Sequence, residues 1–369
     1  MSISPDLSTI REAQKLLRKY FEVTPLVKAP SLSRSGTEAY LKIETGLPTG
    51  SFKPRGALFA LATNLQRRSI DEVTASSTGN HGAAVAFAAK TLGVRATIFL
   101  PENANPIKLK KIADLGARIV QTGSADSAEA FAHAKEYSSR PGVYFLNDAT
   151  APDLPAGPAV IGLEILEQLP ELTAVFVPMG DTALIRGIVA AIKNLTPHVK
   201  IVGVQAERAP SYCLSWRLGE PVPTDTCDTC ADGLATRTPD AANVAAIRET
   251  VDEVALVSEE QMIDAIPHLS RHEGTLAEPS GAATTAAWLD HAAIRGRVVL
   301  LVTGRTFPTM CAIVPESETA PEACEGCCLT ALRDLSPCRK SQRSARPGWR
   351  PATFRSSSQK EVRDRRRTM

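Results

Sequence analysis

Between Tyr40 and Gly304, short apolar, β-branched runs alternate with Ala-rich runs of helical length. This alternation constrains the fold more than any other feature, because strands separated by helices form βαβ units and a mainly parallel sheet. The strand candidates are AYLKIE (39–44), VTASS (73–77), ATIFLP (96–101), ARIVQTG (117–123), VYFL (143–146), AVFVPMG (174–180), KIVGVQA (200–206), EVALVS (253–258) and RVVLLVTG (297–304). They are apolar at nearly every position, as expected of strands covered by helices on both faces. HGAAVAFAAKTLG (81–93) and SGAATTAAWLDHAA (280–293) are two of the intervening helical runs. Ligands of such sheets bind beyond the carboxyl ends of the strands, so chemistry is sought in the loops that leave them.

At 369 residues the chain exceeds what one core fills, about 250–300 residues, and two or three lobes are expected. No run of about 18 apolar residues occurs, which excludes a transmembrane helix. The opening MSISPDLSTIREAQKLLRKYF has no basic segment followed by an apolar one, so no secretory signal and a cytoplasmic location are expected. After Gly304 the texture changes to an aperiodic stretch rich in Pro, Ser, Arg and Cys. Residues 311–369 are expected to form an irregular, disordered, non-catalytic tail. From Arg339 to Met369 there are 11 basic residues against two acidic ones, whereas the rest of the chain carries 31 bases and 38 acids. The acidic body gives no electrostatic reason to expect a nucleic-acid partner. The tail alone could act as a basic arm for nucleic acid or anionic membrane, or could mark an altered reading frame. The CxxC pairs Cys227–Cys230 and Cys324–Cys327 are too far apart for a four-cysteine zinc site, which wants about 15–20 residues between pairs. They read as reduced thiols.

Three loops concentrate chemistry-bearing residues. In Ser51-Phe52-Lys53-Pro54-Arg55-Gly56-Ala57, Pro54 fits a helix start and places Lys53 at the helix N-terminus among apolar neighbours. The dipole and desolvation both oppose the protonated amine, a setting for a nucleophilic or Schiff-base lysine. A solvated surface lysine is the plain alternative. Ser76-Ser77-Thr78-Gly79-Asn80-His81-Gly82 follows a strand and opens a helix, where free N–H groups and hydroxyls suit an anion or simply cap the helix. Pro178-Met179-Gly180-Asp181-Thr182-Ala183-Leu184-Ile185-Arg186-Gly187 joins another strand to a helix and suits phosphate binding through backbone amides. An ordinary turn explains it equally well in isolation. Asp181 facing a dianion would be repulsive, so it is expected to point away or to cap the helix.

Taken together, SFKPRGA, SSTGNHG, the 178–187 loop, VQAE (204–207), ADGLA (231–235), EGTLAEPSGA (273–282) and VTG (302–304) resemble the ordered motifs of the fold-type II pyridoxal-phosphate enzymes. TPLVKAPSLSRSGTEAYLKIE (24–44) is similar to the segment that precedes that family's lysine motif. The resemblance covers roughly residues 20–306 and points to the threonine and serine dehydratase branch. It implies an α/β, two-lobed, tryptophan synthase β-like architecture with parallel-rich sheets flanked by helices. Residues 1–64 with 150–310 would form the large cofactor-binding lobe, and 65–149 the small substrate-clamping lobe. The implied cofactor is pyridoxal 5′-phosphate. Lys53 would hold it and act as the catalytic base, with Phe52, Asn80, Gly180, Asp181, Thr182, Ala183, Leu184, Glu278 and Thr303 around it. Ser77, Thr78, Gly79, Asn80 and His81 would hold the substrate carboxylate. A hydroxyl at Thr303 against the pyridine nitrogen would leave the ring a weaker electron sink, favouring expulsion of a β-substituent.

The implied activity is an ammonia-lyase that eliminates water from a β-hydroxy amino acid such as threonine or serine, with the cofactor phosphate assisting loss of the hydroxyl. Hydroxyaspartate, phenylserine, diamino-acid or hydroxyectoine-derived substrates on the same scaffold are the alternatives, as is a catalytically impaired cofactor-binding protein. Thr78 stands where serine racemase has its second base, which disfavours racemisation. Some relatives place carboxylates for a divalent cation where this chain has Gln205 and Ser211, so no metal is expected. The family's GQGT-like element is altered to Ala156-Gly157-Pro158-Ala159. Partners would be a small amino-acid substrate and a second copy of the chain, a dimer by resemblance. Trimming the chain back to about Thr306 by limited proteolysis is expected to leave turnover intact, which an activity assay before and after cleavage checks.

Overall fold

The computed structural model describes residues 4–306 apart from 78, 103, 105, 125–126 and 292–293. The tail and Thr78 lie outside the described residues. The strands are β1 (Leu26–Lys28), β2 (Thr37–Ile43), β3 (Glu72–Ser76), β4 (Arg95–Pro101), β5 (Arg118–Thr122), β6 (Val143–Phe145), β7 (Leu172–Pro178), β8 (Lys200–Ala206), β9 (Glu253–Val257) and β10 (Gly296–Val302). The helices of the first half are α1 (Leu7–Leu17), α2 (Lys53–Arg67), α3 (Asn80–Leu92), α4 (Pro106–Asp114) and α5 (Ser127–Tyr137). Those of the second half are α6 (Ala156–Gln168), α7 (Ala183–Leu195), α8 (Ser211–Leu218), α9 (Ala241–Thr250), α10 (Glu259–Glu273) and α11 (Pro279–Asp290).

One sheet has six strands in the order β1-β2-β10-β7-β8-β9, and the other has four in the order β5-β4-β3-β6. Every pairing is parallel except β1 with β2. Each of the nine strand candidates coincides with an observed strand to within two residues at either end. β1 was not among them. Its three residues, flanked by Pro25 and Pro30, have no periodic signal, and it forms by pairing with β2. No helix among the described residues is long and apolar enough to cross a membrane.

The strand order fixes where a ligand can sit. The chain leaves β7 for β8 and β9 on one side and returns to the other side of β7 as β10. Likewise it leaves β3 for β4 and β5 and returns beside β3 as β6. Each reversal opens a crevice beyond the strand ends, because the flanking connections diverge to opposite faces. Four loops therefore converge: those after β3, β6, β7 and β10.

Behind the site lies a buried ionic network. Arg55, on the first turn of α2, is 1% exposed. Its Nε donates to Glu44 Oε2 at 2.8 Å, its Nη1 to Glu164 Oε1 at 2.7 Å, and its Nη2 to Glu164 Oε2 at 2.9 Å. Lys42 Nζ donates to Glu164 Oε2 at 2.7 Å, the oxygen that also accepts from Arg55 Nη2, to the Thr24 carbonyl at 2.8 Å and to Gln168 Oε1 at 2.9 Å. Two cations thus meet two carboxylates, and the group binds β2, α2, α6 and the segment before β1 together. Burial opposes the charge on Arg55, but Glu44 and Glu164 outweigh it and hold the guanidinium above its ordinary value. Burial likewise opposes the Glu164 charge, yet Arg55 and Lys42 keep its carboxyl below the usual range. The close crossing of α2 and α6 needs a glycine, since a Cβ at Gly157 would lie 2.3 Å from the Arg55 carbonyl oxygen. Removing one partner of such a cluster strands a buried charge. Arg55→Met is therefore expected to lower folding stability by about 3–5 kcal/mol, measured by urea unfolding.

Candidate active site

The start of α2 is stitched to the end of β10. Phe52 N donates to the Thr303 carbonyl at 3.0 Å, and Ser51 forms an isolated bridge with Gly304. Thr303, 4% exposed, therefore lies directly beside the lysine segment. Lys53 is the first residue of α2, with Phe52 as its N-cap and Pro54 just inside. Its ammonium forms a short ion pair with Asp148, in the loop after β6. The Phe52 ring centroid lies 5.4 Å from Lys53 Nζ.

Asp148 is shared with the loop after β3. His81 Nδ1 stands 3.4 Å from Asp148 Oδ1, and His81 Nε2 is bonded to the Leu146 carbonyl at 2.9 Å. Neither His81 Nδ1 nor Asp148 Oδ1 has a hydrogen-bond partner among the described residues. Burial disfavours the Asp148 charge, but His81 and Lys53 more than offset it, so its carboxyl is held below the ordinary value. Nearby, Asn80 Nδ2 donates to Glu278 Oε1 at 2.7 Å. Thr306 Oγ1 donates to Asn80 Oδ1 at 2.9 Å, and Thr306 N donates to Glu278 Oε2 at 2.9 Å. Burial pushes the Glu278 carboxyl up despite those donors. Ser77 Oγ is engaged locally, accepting from Gly79 N at 3.2 Å. Gly79 is the N-cap of α3 and no side chain caps that helix.

Asp181 does not cap α7; the N-cap is Thr182, and no side chain bonds to the helix start. The Asp181 carboxylate instead accepts from Thr236 Oγ1 at 3.0 Å. Burial and the neighbouring Asp148 push it above the ordinary carboxyl value, with Lys53 opposing. Thr182 has φ 68°, the one positive φ of a non-glycine residue among those described. Its Oγ1 accepts from Arg186 Nε at 3.1 Å, and Arg186 Nη2 donates to the Ala149 carbonyl at 3.1 Å. Ala183 and Leu184 turn their side chains into the core, each 6% exposed, which leaves their amides at the uncapped start of α7. A Cβ on Gly180 would come within 2.2 Å of the Gly233 carbonyl oxygen, so only glycine lets the two loops meet.

The site is therefore a lysine amine at one helix start, joined through Asp148 to the start of α3 and close to Asp181 before α7, and neither of those helices has a side-chain cap. Residues 17–304 match the protein family described as "Pyridoxal-phosphate dependent enzyme". The chain belongs to that family. L-threonine ammonia-lyases of Thermotoga maritima and Geobacter sulfurreducens are each 37% identical to it, over 297 and 298 residues, covering 80% of this chain and 74% of each relative. Among solved structures, maize serine racemase has a TM-score of 0.78 at 28% identity, covering 82% of this chain and 93% of that one. The T.th. threonine deaminase has a TM-score of 0.76 at 31% identity, covering 86% and 100%.

The residues present fit pyridoxal phosphate. The uncapped start of α7 and the left-handed turn at Thr182 aim backbone amides outward, a nest suited to a phosphate. The upward shift of the Asp181 carboxyl lessens the repulsion that its charge would bring. At the position named for a divalent cation, Gln205 Oε1 accepts from Cys213 N at 2.8 Å and Ser211 Oγ donates to the Thr236 carbonyl at 2.6 Å. No group of three or more His, Cys, Asp or Glu side chains that could hold a metal occurs among the described residues. Cys213 and Cys227 are free thiols.

Two residues of the site went unnoticed in the sequence. Asp148 lies at the end of a strand candidate, where the rule of strand-end loops would have directed attention. Arg186 is a basic residue inside the apolar run ALIRGIVAAI, and a buried cation there has to be paired. Gly180→Ala is expected to push the two loops apart and weaken cofactor binding by about tenfold or more, corresponding to about 1.4 kcal/mol. A titration of cofactor-free protein followed by absorbance checks this.

Proposed function

We propose that this chain is a pyridoxal-phosphate-dependent ammonia-lyase of the threonine and serine dehydratase type, converting a β-hydroxy amino acid to a 2-oxo acid and ammonia. The observation that carries this reading is the placing of the Lys53 amine between the loops after β3, β6 and β10, with an uncapped helix start close by. The names of the 37%-identical relatives support the reaction class.

The cofactor, when bound, supplies the electron acceptance that a carbanion at Cα requires. The protein supplies placement and proton handling. Lys53 would hold the cofactor, and its Nζ would remove the Cα proton as general base. The amides opening α3, with Ser77, Gly79, Asn80 and His81, hold the substrate carboxylate at the positive end of the helix dipole. Asn80 keeps one amide hydrogen free beyond its bond to Glu278 and can direct it at the cofactor. The amides of Thr182, Ala183 and Leu184 hold the phosphate, with Arg186 stiffening their turn. Thr303, brought beside Phe52 by the backbone bond, would offer its hydroxyl to the cofactor.

In this reading the six-stranded sheet centres the cofactor lobe, 1–64 with 150–310, and the four-stranded sheet centres a smaller lobe, 65–149, that covers the substrate. Links between them support it: Lys108 pairs with Asp232, and Lys111 Nζ donates to Thr306 Oγ1 at 3.0 Å. The reading also includes a homodimer in the cytoplasm. The decisive comparison is wild type against Lys53→Ala with added cofactor and a panel of serine, threonine and other β-substituted amino acids. Wild type is expected to show the visible absorbance of bound cofactor and to release 2-oxo acid from serine or threonine. Lys53→Ala is expected to lose that absorbance and to fall at least about a thousandfold in rate. Retained lyase activity in the variant overturns the role of Lys53.

A further inference from the structure

Lys111, on α4, reaches over to the turn before α2 and to the segment after β10. Its Nζ donates to the Thr49 carbonyl and, at 3.0 Å, to Thr306 Oγ1. Both acceptors are neutral oxygens. Burial pushes the half-buried amine below the ordinary lysine range, with Arg305 and Lys108 adding to the fall and Glu278 opposing it. A simple latch for α4 would need no more than these two bonds. Thr306, however, passes the second bond on. Its Oγ1 donates to Asn80 Oδ1 at 2.9 Å, and its backbone N donates to Glu278 Oε2 at 2.9 Å. Asn80 Nδ2 closes the ring by donating to Glu278 Oε1 at 2.7 Å.

The polarity of this ring follows from its members. An ammonium has no lone pair, a hydroxyl has one hydrogen, and an amide is a donor at one end and an acceptor at the other. Lys111 therefore occupies a lone pair of the Thr306 hydroxyl and leaves its hydrogen for Asn80, so Oδ1 turns to Thr306 and Nδ2 to Glu278. Glu278 alone would not settle the matter. Burial pushes its carboxyl up, and once protonated it could give a hydrogen to the oxygen of a flipped Asn80, whose Nδ2 would then donate to the Thr306 hydroxyl. With Lys111 in place, that flip leaves the Thr306 hydrogen without an acceptor or turns it against the ammonium. Lacking Lys111, the two arrangements compete. We infer that Lys111 is a positioning residue for Asn80: through the Thr306 hydroxyl it fixes which end of the amide faces the cofactor. This rests on the placing of the cofactor in the reading above. The hydrogen of Asn80 Nδ2 that Glu278 leaves free is then always on offer, whereas a flipped amide would present an oxygen lone pair in its place. Lys108, one turn earlier on α4, is occupied by Asp232.

A double-mutant cycle tests this, read on cofactor affinity by absorbance titration of cofactor-free, full-length protein. Lys111→Met is expected to raise the dissociation constant about five- to tenfold. In an Asn80→Ala background the same change is expected to cost less than about twofold, because the group it orients is gone. Thr306→Val, which cuts the link one step later, is expected to match Lys111→Met, and Thr306→Ser, which keeps the hydroxyl, to match wild type. That second pair carries the cycle should Lys111→Met fail to fold. Equal losses in both backgrounds would make Lys111 a plain latch and overturn the inference, as would an unchanged affinity in Lys111→Met or Thr306→Val. Another readout needs no cofactor. In 15N-asparagine-labelled protein, the Asn80 side-chain amide, assigned from Asn80→Ala, is expected to give one pair of proton signals in wild type and a second or broadened pair in Lys111→Met. Identical signals in the two proteins overturn the inference. Should wild type bind cofactor yet release no 2-oxo acid, the lyase reading fails and the cycle still decides; should it bind none, the amide signals decide.

Discussion

The buried cluster of Lys42, Glu44, Arg55 and Glu164 is the constraint on which the site depends. Bringing four charges out of water offsets much of their mutual attraction, and each member is tolerable only while its partners stay in place. Because Arg55 lies two residues beyond Lys53, that requirement fixes the first turn of α2 against β2 and α6. The Lys53 amine therefore projects from a rigid base. The Gly157 contact tightens the same joint from the other side, letting two helix backbones touch.

From that base the architecture supplies the rest by topology. Each sheet reverses its strand order once next to a loop of the site, and the two reversals face each other across the lysine. β3 and β6 bring His81 and Asp148 together, although 67 positions of sequence separate them; β7 and β10 bring the Thr182 turn close to Thr303. None of these residues needs an unusual local sequence to reach its place. What they need is the parallel pairing, which the apolar strands enforce by having to be covered on both faces.

This explains what could be read in advance. The alternation of strands and helices is local and periodic, so the nine strand candidates emerged within two residues of their final ends. Lys53 was legible because a helix start, a proline and apolar neighbours are adjacent in the chain. Asp148 was not, since NDAT is an unremarkable loop until β6 settles beside β3. For Asp181 the chain left two courses open, pointing away or capping the helix, because its actual partner, Thr236, arrives from a distant loop. The triplet β1 exists through pairing alone and has no signature of its own.

Thr182 adopts the left-handed backbone that a glycine would take freely, a conformation that disfavours L side chains by about 1 kcal/mol. Arg186 clasps its hydroxyl and the Ala149 carbonyl together. A string of glycines would have to be frozen each time an anion arrived. Here the ordering is already present in the folded chain, so an anion held at this turn would forfeit less chain entropy.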